Sequence, residues 1–450
     1  MPPQLCIGID IGKFRHLVGF VSADLLAQHC TFAQCPTVVL IPDRLHIDEL
    51  LAKIALRLPL SECAVLLEHT GHYHRVLVEA LHTAGLRVYV VAIKSRKASL
   101  DKTDKIDALR LANQIYNQLV LGSQVADPAQ RIQDLHPPTP AAAQLDPLMR
   151  RRYELVQATT RTRNKLTAIA DELFPELTQV PNFRDPNALI ALDLRERFPT
   201  PAHVAAATIE ELRVIRHWHF PTDARLQDLK DLAARSIGVT NPARSRGLQL
   251  EQAQLIAELR LFQRHLKALE GEIVQIVDAA RDGQILRSIP CIGPIQAATI
   301  LASIGSIDNF DSPAKLKKYF GWAPQSTQTG ITLDRAHLTA SGTRLMKSTL
   351  YLIALRAVKD DTPWRALYQR LIPQKCTYDA RTGQYRGKLR VLGRICGQLT
   401  ELIYTLLKRD ADLLHRTPAG QPPPPPTLYD PTRPERKPKQ PHIDKEPIVV

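Results

Sequence analysis

Apolar residues in this chain follow two rhythms, and the first 125 residues use both. Residues 5–11 (LCIGIDI) form a short, almost continuous apolar run, the pattern of a buried strand, and residues 17–21 read as its antiparallel neighbour. Residues 63–67 repeat the pattern and end at Glu68, and residues 86–93 predict a fourth strand. Elsewhere the spacing becomes helical: Val76, Leu77 and Ala80 share one face over residues 73–84, and Ile106, Leu109, Ala112 and Ile115 do so over residues 105–116. Strands alternating with helices predict an α/β domain over residues 1–125, with both faces of its sheet covered.

The next stretch is punctuated by Pro128, Pro137, Pro138, Pro140 and Pro147, which exclude one continuous helix over residues 128–147. A basic helix follows over residues 148–173, carrying Arg150, Arg151, Arg161, Arg163 and Lys165, with Leu155, Ile169 and Leu173 placed to pack on a partner. Prolines break residues 181–203, and a second long helix fits residues 248–280. Two long helices around an irregular insertion predict a coiled-coil arm within a proline-rich linker and helical region, residues 126–283.

Residues 284–414 read as a mostly α-helical domain. Its first segment turns at Gly293–Pro294, either as a helix-hairpin-helix whose backbone N–H groups meet a phosphate or as a plain αα-turn. A hydroxyl-dense loop follows, with Ser326, Thr327, Thr329 and Thr332 around Gly321 and Gly330, then an apolar helix over residues 345–358. Trp322 beside this loop either stacks on a base or packs the domain. Residues 383–410 are a basic stretch leading into an amphipathic helix, and residues 415–450 a proline-rich basic tail read as disordered.

Charge adds direction. Lysine and arginine number 59 against 45 acids, a formal net charge of +14, which favours a polyanionic partner because basic groups displace counterions from phosphate. Lys315, Lys317, Lys318, Arg335, Arg344 and Lys347 flank the hydroxyl loop, and Lys388, Arg390 and Arg394 lie in the last basic stretch. All nine are candidate contacts to a nucleic-acid backbone, with solvated charge as the simpler alternative for the last three. The seven cysteines make no CxxC pair, which argues against a disulfide scaffold or a structural zinc site. No secretory layout and no bilayer-length apolar run is present, so a cytoplasmic, membrane-free setting is expected.

Four acids stand out. Asp10 interrupts the first apolar run, at the centre of the predicted strand; Glu68 ends a later strand; Asp104 and Asp107 share a face at the start of a helix. An acid in such a run costs on the order of several kcal/mol unless it is paired. Strand ends and a helix N-terminus converge readily on one edge of a sheet, and carboxylates gathered there repel unless a hard cation such as Mg²⁺ neutralises them. Structural roles compete: Asp104 as a helix cap, Asp107 as a solvated first-turn residue, Glu68 as a polar strand end.

Taken together, these segments resemble the IS110-type transposases, also described as bridge-RNA-guided recombinases, over residues 5–120 and 283–409. The resemblance implies a RuvC-like (RNase H-like) DEDD fold whose acids map onto Asp10 in IGIDIGK, Glu68 in LLEHTG, and Asp104 and Asp107 in KTDKIDA. The family's C-terminal domain carries a serine in a Q/S-S-G element shortly after a G-x-x-P turn. Here the turn is Gly321-Trp322-Ala323-Pro324 and the element Gln328-Thr329-Gly330, so threonine stands where serine is usual. Thr329 keeps a hydroxyl but its methyl restricts the rotamers, and Ser326 upstream is the alternative nucleophile.

What the resemblance implies is attack of a hydroxyl on DNA phosphate, a covalent intermediate and strand exchange, with Mg²⁺ on the carboxylates. It also implies donor and target DNA, an element-encoded structured guide RNA, and a composite site in a homodimer or homotetramer, in a bacterial cytoplasm at the nucleoid during activity. Two other readings compete: a RuvC-like nuclease using metal-activated water without a covalent intermediate, and a non-catalytic nucleic-acid-binding remnant of a mobile element.

Overall fold

The computed structural model describes residues 2–68, 72–91, 103–125, 131–215, 221–329, 333–338, 342–418 and 420–432, with residues 324–329 and 333–338 described by their backbone. The chain divides into two compact units, one of residues 1–142 with 303–450 and one of residues 143–302.

The first unit begins with β1 (Leu5–Asp10), β2 (His16–Val21), β3 (Thr37–Leu40), β4 (Cys63–Glu68), β5 (Arg87–Val91) and β6 (Gln133–Asp134), joined in the order β3-β2-β1-β4-β5-β6. Strands β1, β4 and β5 run parallel, while β2, β3 and β6 run antiparallel to their neighbours. Helices α1 (Ala23–His29), α2 (Arg44–Ala55), α3 (His74–Thr83) and α4 (Asp104–Ile115) accompany them. The pleat explains the unbroken apolar runs. Ile7, Ile9, Val65 and Leu67 cluster with Ile47 and Ile54 of α2 and Leu77 and Leu81 of α3. Cys6, Ala64 and Leu66 belong to a second cluster with Leu109, Leu111, Ala112 and Ile115 of α4. Strands covered on both faces have no side to leave polar. Burial also pushes the Cys6 thiol up to about 12 and Cys63 up to about 11, so neither is a ready nucleophile.

Two facing glycines seat α4. Gly8 pairs with Gly19 across β1 and β2. A Cβ on Gly8 would lie 2.0 Å from the Ala108 oxygen and 2.3 Å from the Ala112 nitrogen, and one on Gly19 would lie 3.0 Å from the Leu109 nitrogen. The helix therefore rests on strand backbone rather than on side chains. The expected elements differ in detail. Asp10 ends β1 instead of sitting at its centre, and Val76, expected on the buried face of α3, is 73% exposed. The edge strand β3 escapes the pattern because Val38 and Val39 are both exposed.

The second unit holds most of the long helix α5 (Pro140–Leu173), which begins in the first unit, then α6 (Leu189–Arg197), α7 (Pro201–Ala206), α8 (Ile209–Arg213), α9 (Asp223–Ala234), α10 (Pro242–Ala279) and α11 (Arg281–Arg287). Helix α5 starts at Pro140, earlier than the proline pattern predicts. Pro140 occupies the first helical position, where its missing N–H is harmless, and Thr139 Oγ1 accepts the Ala142 N–H at 3.3 Å. Pro147 then removes only one intrahelical bond.

Helices α5 and α10 run antiparallel, tied by Arg152–Glu270 at 2.7 Å and by Arg244–Glu172. Their apolar contact centres on Leu166, Ile169 and Leu173 against Leu255, Ile256 and Leu259. The residues between them form a small helical core around Phe174, Phe183, Leu194, Leu212 and Leu229. Arg195 is buried there and donates to Gln252 Oε1 and to the carbonyls of Pro186 and Leu166. Burial holds that guanidinium down to about 10.

The chain returns to the first unit through α12 (Pro294–Ile304). There it forms α13 (Pro313–Tyr319), β7 (Pro324–Thr329), β8 (Leu333–Leu338), α14 (Arg344–Lys359), α15 (Pro363–Lys375), β9 (Thr377–Asp379), β10 (Gln384–Arg386) and α16 (Lys388–Arg416). The hydroxyl-dense loop of the sequence reading is in fact a hairpin, β7 pairing antiparallel with β8. Its residues, PQSTQT, have no apolar face to betray a strand, although threonine suits extended backbone. The tail expected to be disordered is anchored over its first part. The Thr427 N–H donates to the buried Asp410 carboxylate at 3.0 Å, and Tyr429 stacks on Trp364 with ring centroids 6.0 Å apart. Among the described residues no helix is long and apolar enough to cross a membrane.

Candidate active site

The four acids collect at one edge of the sheet. Ile9 pairs with Leu67, so the next residues, Asp10 and Glu68, end neighbouring parallel strands about 4.8 Å apart. Both follow Gly8 and Leu66 in the pleat, on the face covered by α4. Helix α4 lies with its first turn at that edge: Ala108 and Ala112 rest on Gly8, and Asp104 lines one cleft with Asp10. Asp104 and Asp107 extend the buried stripe of Ala108 and Leu111 by one turn toward this edge.

Two of these acids have a local setting that the structure defines. The cap of α4 is Thr103, whose Oγ1 accepts the Ile106 N–H at 3.4 Å, so Asp104 is not the cap. The positive end of the helix favours carboxylates in its first turn and offsets part of their mutual repulsion. Asp107 makes an ion pair with Arg110 at 3.1 Å. The cleft shared by Asp10 and Asp104 has a volume of about 390 Å³, and Arg15, His16 and Thr103 also line it. Burial holds His16 below its ordinary range, so its ring is neutral at pH 7. Arg15 was not anticipated from the sequence; its signal is a cation five residues after Asp10, just beyond the Gly12 turn.

An all-carboxylate set presents the hard oxygen donors that a divalent cation such as Mg²⁺ takes. The donor chemistry therefore fits. Among the described residues, however, no three acids, histidines or cysteines stand close enough together to hold one ion.

Ser326, Thr327 and Thr329 lie on β7 of the β7–β8 hairpin. Ser326 pairs with Ala336 and Thr329 with Leu333. Their numbers differ by three, so the pleat assigns them to opposite faces of the hairpin. Gly330 and Thr332 lie outside the described residues. The root of the hairpin is held by two left-handed glycines, Gly321 at φ 77° and Gly342 at φ 102°. A Cβ on Gly342 would come within 2.5 Å of Gly321, and the Thr343 N–H donates to the Tyr319 carbonyl at 3.3 Å. Trp322 is a packing residue: it is buried, and its indole N–H donates to the Lys347 carbonyl at 3.3 Å.

The candidate cations divide into groups. Lys315 pairs with Asp311 and Lys317 with Glu401. Lys318 and Arg344 are exposed at the end of α13 and the start of α14, and Lys347 is half-buried. Arg335 stands on β8 opposite Thr327. Lys388, Arg390 and Arg394 are exposed on the first turns of α16.

Known proteins resemble both ends. A family model for the DEDD transposase of IS110 matches residues 7–175, and one described as transposase of the IS116/IS110/IS902 family matches residues 283–369. An insertion element IS110 protein of 43.6 kDa from Streptomyces coelicolor is 24% identical over 62% of this chain and 66% of its own length, just under two thirds. The mini-circle protein of IS117 from the same organism is 27% identical over 74% of this chain and 79% of its length. The transposase for insertion sequence element IS1111A of Coxiella burnetii is 25% identical over 40% of this chain and 46% of its length.

Proposed function

Starting from a chain that belongs to the IS110/IS116 family of insertion-sequence transposases, we propose that it breaks and rejoins DNA through a hydroxyl of the β7–β8 hairpin, assisted by the acidic edge of the sheet. The observation that carries this reading is the gathering of Asp10, Glu68 and Asp104 at one sheet edge, with Asp107 one turn along α4.

Asp10, Glu68, Asp104 and Asp107 would hold Mg²⁺. When bound there, a divalent ion neutralises charge on the scissile phosphate and lowers the pKa of a nearby hydroxyl. The oxygen of Thr329 attacks phosphorus, the bond to one DNA oxygen breaks, and the departing oxygen takes a proton. A carboxylate at the sheet edge receives the proton of the threonine. The resulting ester keeps the phosphodiester bond energy, so a DNA hydroxyl reverses it and joins a new strand. The exposed cations Lys318, Arg344, Lys388, Arg390 and Arg394 hold the backbone, Lys315 and Lys317 join them as their ion pairs with Asp311 and Glu401 exchange for phosphate, and Arg335 and Lys347 complete the set.

Domains follow this division of labour: a RuvC-like domain over residues 1–125, a helical and coiled-coil region over 126–283, and the transposase domain over 284–414 with its tail. Donor and target DNA are the substrates, an element-encoded guide RNA supplies sequence choice, and a homodimer or homotetramer completes the site. The protein works in the bacterial cytoplasm.

The test is a denaturing gel of protein incubated with labelled DNA, Mg²⁺ and matched RNA. The expected result is a covalent protein–DNA band that Thr329→Ala abolishes and Thr329→Ser retains. Attachment mapped to Ser326 moves the nucleophile to the other face of the hairpin. Cleavage with no covalent band overturns the mechanism in favour of hydrolysis.

A further inference from the structure

The second small hairpin, β9–β10, is unused by the chemistry above. It joins α15 to α16 and carries several local contacts of its own. The Asp379 carboxylate accepts the Arg381 N–H at 3.1 Å and pairs with Arg386, and the Asp379 carbonyl accepts the Gly383 N–H at 2.9 Å. Gly383 supplies the left-handed turn at φ 66°. Tyr378 and Tyr385 face each other across the register with ring centroids 5.1 Å apart in an edge arrangement.

Two features separate this hairpin from a mere connector. Tyrosines that only stapled two strands would cover one another, yet Tyr378 keeps 56% of its surface exposed. The surrounding residues 375–394 carry six cations, Lys375, Arg381, Arg386, Lys388, Arg390 and Arg394, against one acid, Asp379. All six are exposed, and that acid is engaged within the hairpin itself. Lys388 and Arg390 also stand in the first turn of α16, where the helix's own positive end disfavours cations and an anionic partner would reverse the penalty.

We infer that the β9–β10 hairpin is a stacking platform for unpaired nucleotides, with Tyr378 receiving a base and Arg381, Lys388 and Arg390 receiving the flanking phosphates. An aromatic face inside a cationic rim is the arrangement that binds single strands irrespective of sequence, because every base has a π-face. The inference rests on the nucleic-acid-processing role proposed above and adds where displaced, unpaired strands are held. Charge decides between partners: with five net positive charges, the surface suits a polyanion, and the flat exposed ring suits a base.

The experiment uses the full-length chain and a fluorescein-labelled oligodeoxythymidine, with a duplex of mixed sequence as comparison. The Tyr378→Ala, Tyr385→Ala double variant is expected to bind the single strand about tenfold more weakly or worse, and the duplex nearly as well as wild type. Tyr378→Phe is expected to bind like wild type, since it keeps the ring. Arg381→Gln with Arg390→Gln is expected to flatten the salt dependence of binding, which the tyrosine variants leave alone. Asp10→Asn is expected to retain full single-strand binding, so a failed transposition mechanism and a failed platform give different results. Photocrosslinking of the wild-type chain to an iodouracil-containing strand is expected to label Tyr378, and needs no variant to fold. Unchanged single-strand affinity in the double variant with an unchanged melting curve overturns the inference, as does crosslinking confined to other segments. Loss of binding to anionic vesicles, with oligonucleotide binding intact, would assign the surface to a membrane instead.

Discussion

The acidic edge of the N-terminal sheet and the hairpins of the C-terminal part are both candidate working surfaces, built by opposite means. At the sheet edge, each acid is placed by an element that packs on others: β1 on β4, and α4 on the bare backbone of Gly8 and Gly19. The β7–β8 and β9–β10 hairpins depend on short two-stranded pairing, with positive-φ glycines beside their strands. The first design places each acid through packing between several elements. The second specifies its strands largely by their own cross-strand pairing.

The strongest way to test this contrast is at Asp10. Asp10→Asn is expected to lower strand cleavage by on the order of a thousandfold, with the melting temperature unchanged, in a labelled-DNA assay. Activity within tenfold of wild type would remove the sheet edge from the chemistry. Next in size, Gly8→Ala is expected to cost about 3 kcal/mol by overpacking α4, read from denaturant unfolding and from faster amide exchange in β1 and α4. Gly383→Ala supplies the counterpart. No atom lies within 4 Å of its added Cβ, so only the left-handed backbone is strained, at about 1 kcal/mol. Equal losses at the two glycines would mean that the hairpins are as tightly integrated as the sheet.

The smallest effect is a pH dependence confined to the sheet side. Burial holds His82 of α3 below its ordinary range. The unfolded chain then binds the proton first, so stability is unaffected above the unfolded pKa of about 6.5 and falls as pH drops below it. Between pH 7 and pH 5, amide protection in α3 and β5 is expected to decline, and His82→Gln is expected to flatten that decline. A slope unchanged by the substitution would place the proton elsewhere.

Much of the sheet side was legible in the sequence, because burial on both faces writes itself as continuous apolar runs. The strands at residues 63–68 and the helix at 104–115 fall within a residue or two of expectation. Asp10 and Glu68 were conspicuous because each stands inside or at the end of such a run, whereas Asp104 and Asp107 were singled out by sharing a face at a helix start. The helix cap was not, since KTDKIDA offers both Thr103 and Asp104, and only the geometry selects the threonine. The C-terminal hairpins were poorly legible. PQSTQT and TYDARTGQYR lack an apolar alternation, and their strands are specified by turns and cross-strand pairs instead. In the second of these, Thr382–Gly383 between two tyrosine-bearing triplets was the available signal. Helix α5 shows a different limit, because prolines at a helix start look the same in sequence as prolines that break one.

The anchored tail has a practical corollary. Shortening the chain at the end of α16 would strip Asp410 of the Thr427 amide and Trp364 of its stacked neighbour Tyr429. A newly bared indole is a site for self-association. A trimmed protein that precipitates would thus say nothing about its catalytic power; a cut or an affinity handle placed after residue 432 leaves both contacts in place.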